Sequence, residues 1–213
     1  MSANLSSMPR EPLLHFVLLN PEIPNNTGNI GRTAAALGCR LHVVHPIGFS
    51  MDDKARRRAG LDYWHLVDCV EHEHWDAFMQ TEAPRRLWLF TAHRTRSLYD
   101  ARFARGDYLL FGRESTGVGA AFEAWASQTF GAESLLRIPQ PGTDAMRTPG
   151  SMAPPDTAPA ATGQGTLPDA PAEAAEPGRT ASVRSLNLAT AVAIAGYEAF
   201  RQLQSAHPPE PQG

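Results

Sequence analysis

The chain has 213 residues, which suits one domain of ordinary size and excludes two large ones. Its 19 lysines and arginines against 22 acidic residues give a formal net charge of -3, so overall charge does not indicate a nucleic-acid partner. Two cysteines can form neither a disulfide framework nor a four-cysteine zinc site. No apolar run approaches the roughly 18 residues that span a membrane, and residues 1–12 lack the zones of a signal peptide. We therefore expect a cytoplasmic protein with free thiols.

One segment differs sharply in composition from the rest of the chain. Residues 141–181 contain eight of the 18 prolines and only three large apolar side chains, Met146, Met152 and Leu167. A segment with so little to bury cannot offset its ordering entropy, so we predict a disordered insertion at 141–181. The rest is predicted to form one domain over residues 13–206, with a flexible N-terminus at 1–12 and a flexible tail at 207–213.

Apolar runs and helical periodicities alternate along the remaining chain. Apolar runs predict strands at residues 13–19, 41–44, 66–70, 86–91, 108–111 and 135–138. A first helix is predicted from about Thr27 to Gly38, with Asn26 or Thr27 as its N-cap. Further helices are predicted at residues 51–58, 73–80, 118–129 and 186–204. Strands that alternate with helices predict an α/β fold, a single parallel sheet flanked by helices.

The loops after the strands are the expected place for a ligand, because ligands bind beyond the carboxyl ends of parallel strands. The first such loop, NPEIPNNTGNIGR at 20–32, contains Gly28 and Gly31, which permit a close backbone approach. Free N–H groups at the start of the next helix favour an anion, which Arg32 could also reach. An ordinary capped helix start is the alternative. The glycine spacing fits neither a dinucleotide fingerprint nor a P-loop.

Two later segments carry charge in a pattern that suits a ligand. KARRR at 54–58 precedes Tyr63 and Trp64, and arginines beside aromatic rings suit RNA phosphates and bases. The alternative is a solvated helix face with its aromatic rings in the core. In GREST at 112–116, Glu114 could accept from ligand hydroxyls or from a neighbouring helix N–H, or the turn simply caps the next helix.

The remaining polar motifs exclude two enzyme classes. The eight histidines show no metal-ligand spacing, and HEH at 72–74 is expected on the surface, so no metal site is predicted. Ser115 is not in a GxSxG elbow, which argues against a serine hydrolase.

RSLNL at 184–188 opens the last helix, where Ser185 and Asn187 are natural cap residues.

The order of these motifs resembles one family. NPEIPNNTGN, RAGLDYW, FGRESTG, RIP and RSLNLATAVAIAGYEAFRQ follow one another as in the tRNA 2′-O-methyltransferases of the wobble nucleotide 34, within the SPOUT (trefoil-knot) superfamily. The resemblance covers residues 13–138 and 184–204. It implies a C-terminal trefoil knot, S-adenosylmethionine bound in that knot, a homodimer with sites at the subunit interface, and the tRNA anticodon stem-loop as substrate. It implies neither a metal nor a membrane.

The resemblance also implies the site residues. Cofactor contacts are expected at Phe90, Gly112, Ile138 and Ser185. Arg32 is expected to be the catalytic residue. Substrate contacts are expected at Asn26, Arg57, Arg58, Tyr63, Glu114, Asn187 and Tyr197. Because a guanidinium has a pKa above about 12, we expect Arg32 to orient the ribose 2′-hydroxyl and stabilise negative charge rather than to accept a proton.

One feature departs from the family pattern. The family joins its IPM and RSxNL motifs by a few residues, whereas here the 141–181 insertion intervenes and Gln140 stands at the usual methionine position. Two alternatives to wobble methylation stay open. They are 2′-O-methylation at another tRNA or rRNA site, and RNA binding without catalysis.

Overall fold

The computed structural model describes residues 11–51, 62–92, 94–140 and 185–206. The chain divides into two units, Met1–Ile138 with Leu186–Gly213, and Pro139–Ser185. Of the second unit only Pro139, Gln140 and Ser185 are described. Three predicted features lie outside the described residues: the helix at 51–58 apart from Met51, the arginines of KARRR, and the insertion at 141–181. The knot therefore stays a prediction.

Six parallel strands form one sheet in the order β3-β2-β1-β5-β4-β6. The strands are β1 His15–Leu19, β2 Arg40–Val44, β3 Cys69–His72, β4 Leu87–Phe90, β5 Tyr108–Phe111 and β6 Leu135–Leu136. The helices are α1 Pro24–Leu37, α2 Trp75–Glu82, α3 Ala120–Phe130 and α4 Leu188–Ala206. The predicted α/β fold with one parallel sheet is confirmed. Among the described residues, no helix is long and apolar enough to cross a membrane.

The strands bury both of their faces, as continuous apolar runs predict. Successive side chains of a strand point to opposite faces, so Phe16 of β1 packs in one cluster with α1 and α4. Val17, its neighbour, packs in the other cluster with α2 and α3. On α1, the apolar positions Ile30, Ala34 and Leu37 are buried as the helical spacing predicts.

The start of α1 differs from the prediction. The helix begins at Pro24 rather than near Thr27, and its N-cap is Ile23, which makes no side-chain cap hydrogen bond. Proline is well suited to the first turn because its fixed φ is already helical and its missing N–H would have no partner there. The predicted end is confirmed, since Gly38 caps the helix with a left-handed φ of 66°.

The third strand is displaced from its predicted position. Residues Trp64–Leu66 form a 3₁₀ turn, so the strand occupies Cys69–His72 instead of beginning at residue 66. The strand Tyr108–Phe111 has the predicted bounds, and the other elements shift by a few residues at their ends.

Candidate functional site

The carboxyl ends of β5, β4 and β6 lie side by side. Phe90, the last residue of β4, is in register with Phe111 of β5 and Leu136 of β6. The Phe90 and Phe111 rings stack with 4.7 Å between their centroids. Gly112 follows β5 directly, and Ile138, which is 8% exposed, comes shortly after β6. Phe90, Gly112 and Ile138 therefore stand at neighbouring strand ends, while their contact with a cofactor stays a prediction.

Gly112 stands where a turn folds back onto the strand end. A Cβ at this position would lie 2.4 Å from the carbonyl carbon of Gly117 and 2.6 Å from the nitrogen of Val118. Two hydrogen bonds close the turn: Arg113 N–H donates to the Gly117 carbonyl at 3.1 Å, and Gly117 N–H donates to the Arg113 carbonyl at 3.0 Å. Any side chain at position 112 would force this backbone to move.

Ser185, the fourth residue predicted to contact the cofactor, belongs to the other unit of the chain. It is exposed and directly precedes the segment that leads into α4. Its convergence with the three strand ends stays a prediction.

Glu114 connects the turn after β5 to the start of α1. Its Oε2 accepts the backbone N–H of Glu22 at 2.8 Å, and its Oε1 accepts the N–H of Ile23 at 3.3 Å and the side-chain amide of Asn26 at 3.0 Å. A carboxylate at this end of a helix also interacts favourably with the helix dipole. The structure confirms one of the roles predicted for Glu114, that it accepts hydrogen bonds from N–H groups at the start of a neighbouring helix.

The same loops are joined by further side-chain bonds. Glu22 accepts from Ser115, at 3.0 Å from the backbone N–H and 2.8 Å from the hydroxyl. The Asn187 amide donates to Oδ1 of Asn26 at 2.9 Å. Asn187 also caps α4, since its Oδ1 accepts the backbone N–H of Ala189 at 2.9 Å. Hydrogen bonds thus connect the loop after β1, the turn after β5 and the start of α4.

Arg32 projects from α1 toward an aromatic ring. Its guanidinium carbon lies 4.2 Å from the centroid of the Tyr63 ring, a cation–π distance. The Tyr63 hydroxyl donates to the carbonyl of Gly28 at 2.8 Å, which fixes the ring against α1. A Cβ at Gly31 would lie 2.6 Å from the indole of Trp64, so the glycine allows this segment to approach the helix.

Arg32 and Tyr63 form part of a cleft of about 600 Å³. The cleft is lined by Arg32, Ala35, Ala36, Asp62, Tyr63 and Leu66. Arg32 is exposed and Leu66 is 65% exposed, so a charged and an apolar group both face solvent here. Arg57 and Arg58 lie outside the described residues. Tyr197 is 53% exposed on α4, and its role stays a prediction.

The sequence did not point to Glu123, a buried carboxylate on α3. It accepts from the Thr91 hydroxyl at 2.5 Å and from Nε of Arg94 at 3.1 Å. Thr91 N–H in turn donates to the carbonyl of Leu136 at 2.9 Å. Glu123 therefore fixes the loop that follows Phe90. The sequence shows an acidic residue in a largely apolar helix, but it does not indicate which residues this carboxylate binds.

A chain of buried imidazoles crosses β1, β2 and β3. Nδ1 of His15 lies 2.9 Å from Nε2 of His42, and Nδ1 of His42 lies 3.0 Å from Nε2 of His72. His72 is 6% exposed, so the prediction of a surface position for it is wrong. The strand alternates, with Glu71 facing solvent and His72 facing the core.

Burial keeps these imidazoles neutral. It lowers the pKa of His15 to about 4 and that of His42 to about 2, and it also lowers the pKa of His72. Burial together with the nearby Glu82 carboxylate raises the pKa of Tyr108 to about 12. A neutral imidazole has one donor and one acceptor nitrogen, so the rings can hydrogen bond in series.

Two imidazoles of this chain and the nearby carboxylate of Glu82 are close enough to meet at a cation. His15, His42 and Glu82 offer ligand atoms within 4.8 Å of one another. The imidazole nitrogens already pair with one another, and Oε2 of Glu82 accepts the Tyr108 hydroxyl at 3.2 Å. Because these atoms have partners within the core, we assign the cluster a structural role.

Named relatives cover most of the chain. A protein from a Polaromonas species named tRNA (cytidine(34)-2′-O)-methyltransferase is 43% identical over 192 residues, which is 89% of this chain and 91% of the relative. The Escherichia coli protein of the same name is 36% identical over 191 residues, 90% of this chain and 94% of the relative.

Solved structures and a family model agree with these relatives. A structure described as giving insights into the 2-OH methylation of C/U34 on tRNA is 38% identical, with a TM-score of 0.62 over 90% of this chain and 97% of that one. AviRb from Streptomyces viridochromogenes, in complex with AdoMet, is 24% identical, with a TM-score of 0.58 over 91% and 62%, which shows the shared fold. The model of the SpoU rRNA Methylase family matches residues 13–143. The chain therefore belongs to the SpoU rRNA Methylase family.

Proposed function

We propose that this chain transfers a methyl group from S-adenosylmethionine to the ribose 2′-oxygen of the wobble nucleotide, number 34, in tRNA. The observation that carries the proposal is the similarity, over 89% and 90% of the chain, to proteins named for that reaction. The geometry supports it, since hydrogen bonds join the loops of Asn26, Glu114 and Asn187 near the edge where parallel sheets bind ligands.

The proposed cofactor site consists of Phe90, Gly112, Ile138 and Ser185. Phe90 and Ile138 are apolar and each is 8% exposed, and the turn at Gly112 has no space for a side chain. Apolar walls beside a turn without a side chain suit a flat adenine ring, so the residues fit this cofactor.

The proposed catalytic residue is Arg32. S-adenosylmethionine supplies a methyl group already activated on a sulfonium, so the residues of the chain have to position the 2′-hydroxyl and stabilise the charge that develops on it. The guanidinium of Arg32 is exposed and restrained over the Tyr63 ring. A guanidinium has hydrogen-bond donors and no acceptor, so this group would donate to the 2′-oxygen and an adjacent phosphate and would not act as a base.

The other proposed substrate residues divide into two groups. Tyr63 borders the Arg32 cleft and Tyr197 is exposed, so both can contact a nucleotide base. Asn26, Glu114 and Asn187 hydrogen bond to one another and to backbone groups, so they are proposed as positioning residues for the loops. For Arg57 and Arg58 the proposal rests on the sequence alone.

We also propose that the active form is a homodimer with its sites at the subunit interface. Leu66 in the Arg32 cleft is 65% exposed and Tyr197 on α4 is 53% exposed. Both side chains are accessible to a partner subunit, and the dimer itself is proposed from the family resemblance. Light scattering during gel filtration should give twice the mass of 23.1 kDa, and a monomer active at the same concentration would contradict the dimer.

Methyl transfer tests the proposed function directly. The chain is incubated with methyl-labelled S-adenosylmethionine and unfractionated tRNA, and the labelled nucleotide is located by mass spectrometry of ribonuclease digests. We expect label on the ribose of nucleotide 34, and no label on a matched tRNA with a 2′-deoxyribose at that position. Label at another tRNA nucleotide or only in rRNA would contradict the site, and tRNA binding without transfer would contradict the activity.

A further inference from the structure

A second set of arginines lies at the opposite edge of the sheet, at the amino ends of β4 and β6. They surround a cavity of about 280 Å³ between the start of β4, the loops before β5 and the end of α3. The arginines that line this cavity, here called the arginine pocket, are Arg85, Arg86, Arg96 and Arg102. None of them takes part in the proposed methyl transfer.

Arg86 is held rigidly by a buried carboxylate. Its Nε donates to Oδ1 of Asp107 at 2.7 Å, and its Nη2 donates to Oδ2 at 3.1 Å. Asp107 is 1% exposed and also accepts the indole N–H of Trp88 at 2.7 Å. The Arg86 guanidinium also lies 5.5 Å from the centroid of the Trp88 ring. Its position in the arginine pocket is therefore fixed before any ligand arrives.

Arg96 is held on the same indole by neutral groups. It donates to the backbone carbonyl of Glu133 and, at 3.2 Å, to that of Asp100. Its guanidinium lies 5.8 Å from the centroid of the Trp88 ring. Carbonyl oxygens bear no formal charge, so these bonds fix Arg96 without neutralising it.

Positive charge is in excess within the arginine pocket. Glu133 lines the pocket beside the four arginines, and Asp107 pairs with Arg86. Arg85 and Arg102 are exposed, and their side chains have no carboxylate partner within residues 11–51, 62–92, 94–140 and 185–206. Two restrained guanidinium groups and two exposed ones suit the several oxygens of a phosphate, which arginine can bind through two hydrogen bonds at once.

We propose that the arginine pocket binds a backbone phosphate of the tRNA, distant from the methylated nucleotide. The inference rests on the proposed function for its class of ligand. An RNA phosphate is favoured because the whole chain carries a net charge of -3, so attraction to RNA has to come from local excess positive charge. The four residues of β4 separate the two edges by about 13 Å, which an RNA stem-loop spans.

The test removes the two exposed arginines that lack a carboxylate partner among the described residues, Arg85 and Arg102, and leaves the restrained pair intact. Dissociation constants for tRNA are measured at several salt concentrations for the wild type and for Arg85→Ala with Arg102→Ala. The matched control is Arg105→Ala, an exposed arginine near Arg102 that does not line the pocket. We expect the double variant to bind tRNA about tenfold more weakly, and its log–log salt slope to be smaller by about one for each phosphate that the variant no longer binds.

Three further measurements separate this inference from its alternatives. S-adenosylmethionine affinity and the melting temperature should match the wild type, which excludes misfolding as the cause. Equal tRNA affinity and salt slope in the double variant and the control would overturn the inference. So would loss of inorganic phosphate binding with tRNA affinity unchanged, because the site would then take a free anion. If the wild type transfers no methyl group but still needs Arg85 and Arg102 to bind tRNA, the proposed function fails and this inference stands.

Discussion

Carboxylates accept hydrogen bonds at the carboxyl edge and at the amino edge of the sheet, but the donors differ between the two edges. At the carboxyl edge, Glu22 and Glu114 accept from backbone N–H groups, a hydroxyl and an amide, all of them neutral. At the amino edge, Asp107 accepts from the guanidinium of Arg86 and the indole of Trp88.

The difference lies in what each carboxylate does to the arginines around it. At the carboxyl edge the acidic residues hold loops together, while Arg32, in the ninth position of α1, has its guanidinium against an aromatic ring and exposed to solvent. At the amino edge Asp107 fixes Arg86. The other arginines of the pocket carry positive charge that Asp107 does not neutralise. Carboxylates with neutral donors therefore position loops, whereas one with an arginine positions a cation.

The largest effect is expected where an arginine is proposed to be catalytic. Arg32→Ala should lower the methyl-transfer rate at least about 100-fold, because a donor that stabilises developing charge is removed. Isothermal titration should show unchanged affinity for S-adenosylmethionine. The control, Arg105→Ala, should keep both properties. An equal loss of cofactor affinity in Arg32→Ala would show that this residue binds the cofactor instead.

At the amino edge the expected effect is on stability. Asp107→Ala leaves Arg86, the Trp88 indole and the Ala104 N–H without their acceptor, which should lower the free energy of unfolding by about 3–5 kcal/mol. Urea denaturation measures this change. The exposed Asp100→Ala should stay within about 0.5 kcal/mol of the wild type. Similar values for the two variants would contradict the role of Asp107.

The imidazole chain predicts a third effect, on stability against pH. The pKa values of His15 and His42 are lowered in the folded state, whereas an imidazole in the unfolded chain has a pKa of about 6.5. Below that pH the unfolded chain therefore binds more protons than the folded protein. Their contribution is therefore present above about pH 6.5 and is lost as the pH falls toward 4. Each such group changes the free energy of unfolding by about 1.4 kcal/mol per pH unit within this window.

Urea denaturation at pH 7, 6 and 5 checks this dependence. In His42→Leu the free energy of unfolding should fall less steeply as the pH is lowered, because one of the buried imidazoles is absent. His65→Gln, at an exposed position, should leave it unchanged. A wild-type stability that is constant over this range would contradict burial of neutral imidazoles.

At the carboxyl edge a smaller effect is expected from Glu114→Gln. The amide places a donor against backbone N–H groups, so the loops around α1 should lose about 1–2 kcal/mol of stabilisation. The methyl-transfer rate should fall several-fold, together with a lower melting temperature. Glu73→Gln, at an exposed position, is the matched control. A full rate in Glu114→Gln would show that the loops do not need this carboxylate.

The smallest effect is expected from removal of the insertion. Replacing residues 141–181 by a short linker should preserve folding and methyl transfer, because loop closure depends only weakly on length, about 0.6 kcal/mol per doubling. Circular dichroism and the labelled-methyl assay measure the outcome. A soluble but inactive deletion would assign the insertion a role in the site.

Local patterns predicted most of the sheet. The apolar run at 108–111 matches β5, and the helical spacing of Ile30, Ala34 and Leu37 matches the buried face of α1. The order of the motifs predicted the family, which the named relatives confirm. Strands and helices can be predicted in this way because burial of one face sets the spacing of apolar residues that are close together in the sequence.

Local patterns failed where the partner is remote. The start of α1 differs from the local prediction: the helix begins at Pro24, and the N–H groups of Glu22 and Ile23 before it bond to Glu114 on another loop. The predicted surface position of His72 is wrong because its partner, His42, lies on the neighbouring strand. In both cases a polar group is satisfied across the fold, which no local pattern reveals.

The sequence by itself determined the alternation of strands and helices, the family and the residues that end the strands. Only the tertiary structure showed which of those residues meet. It linked Asn26 to both Glu114 and Asn187, and it grouped Arg85 and Arg102 around one cavity. The physical reason is that a parallel sheet brings distant segments together through strand order and register, which the local patterns of a sequence do not specify.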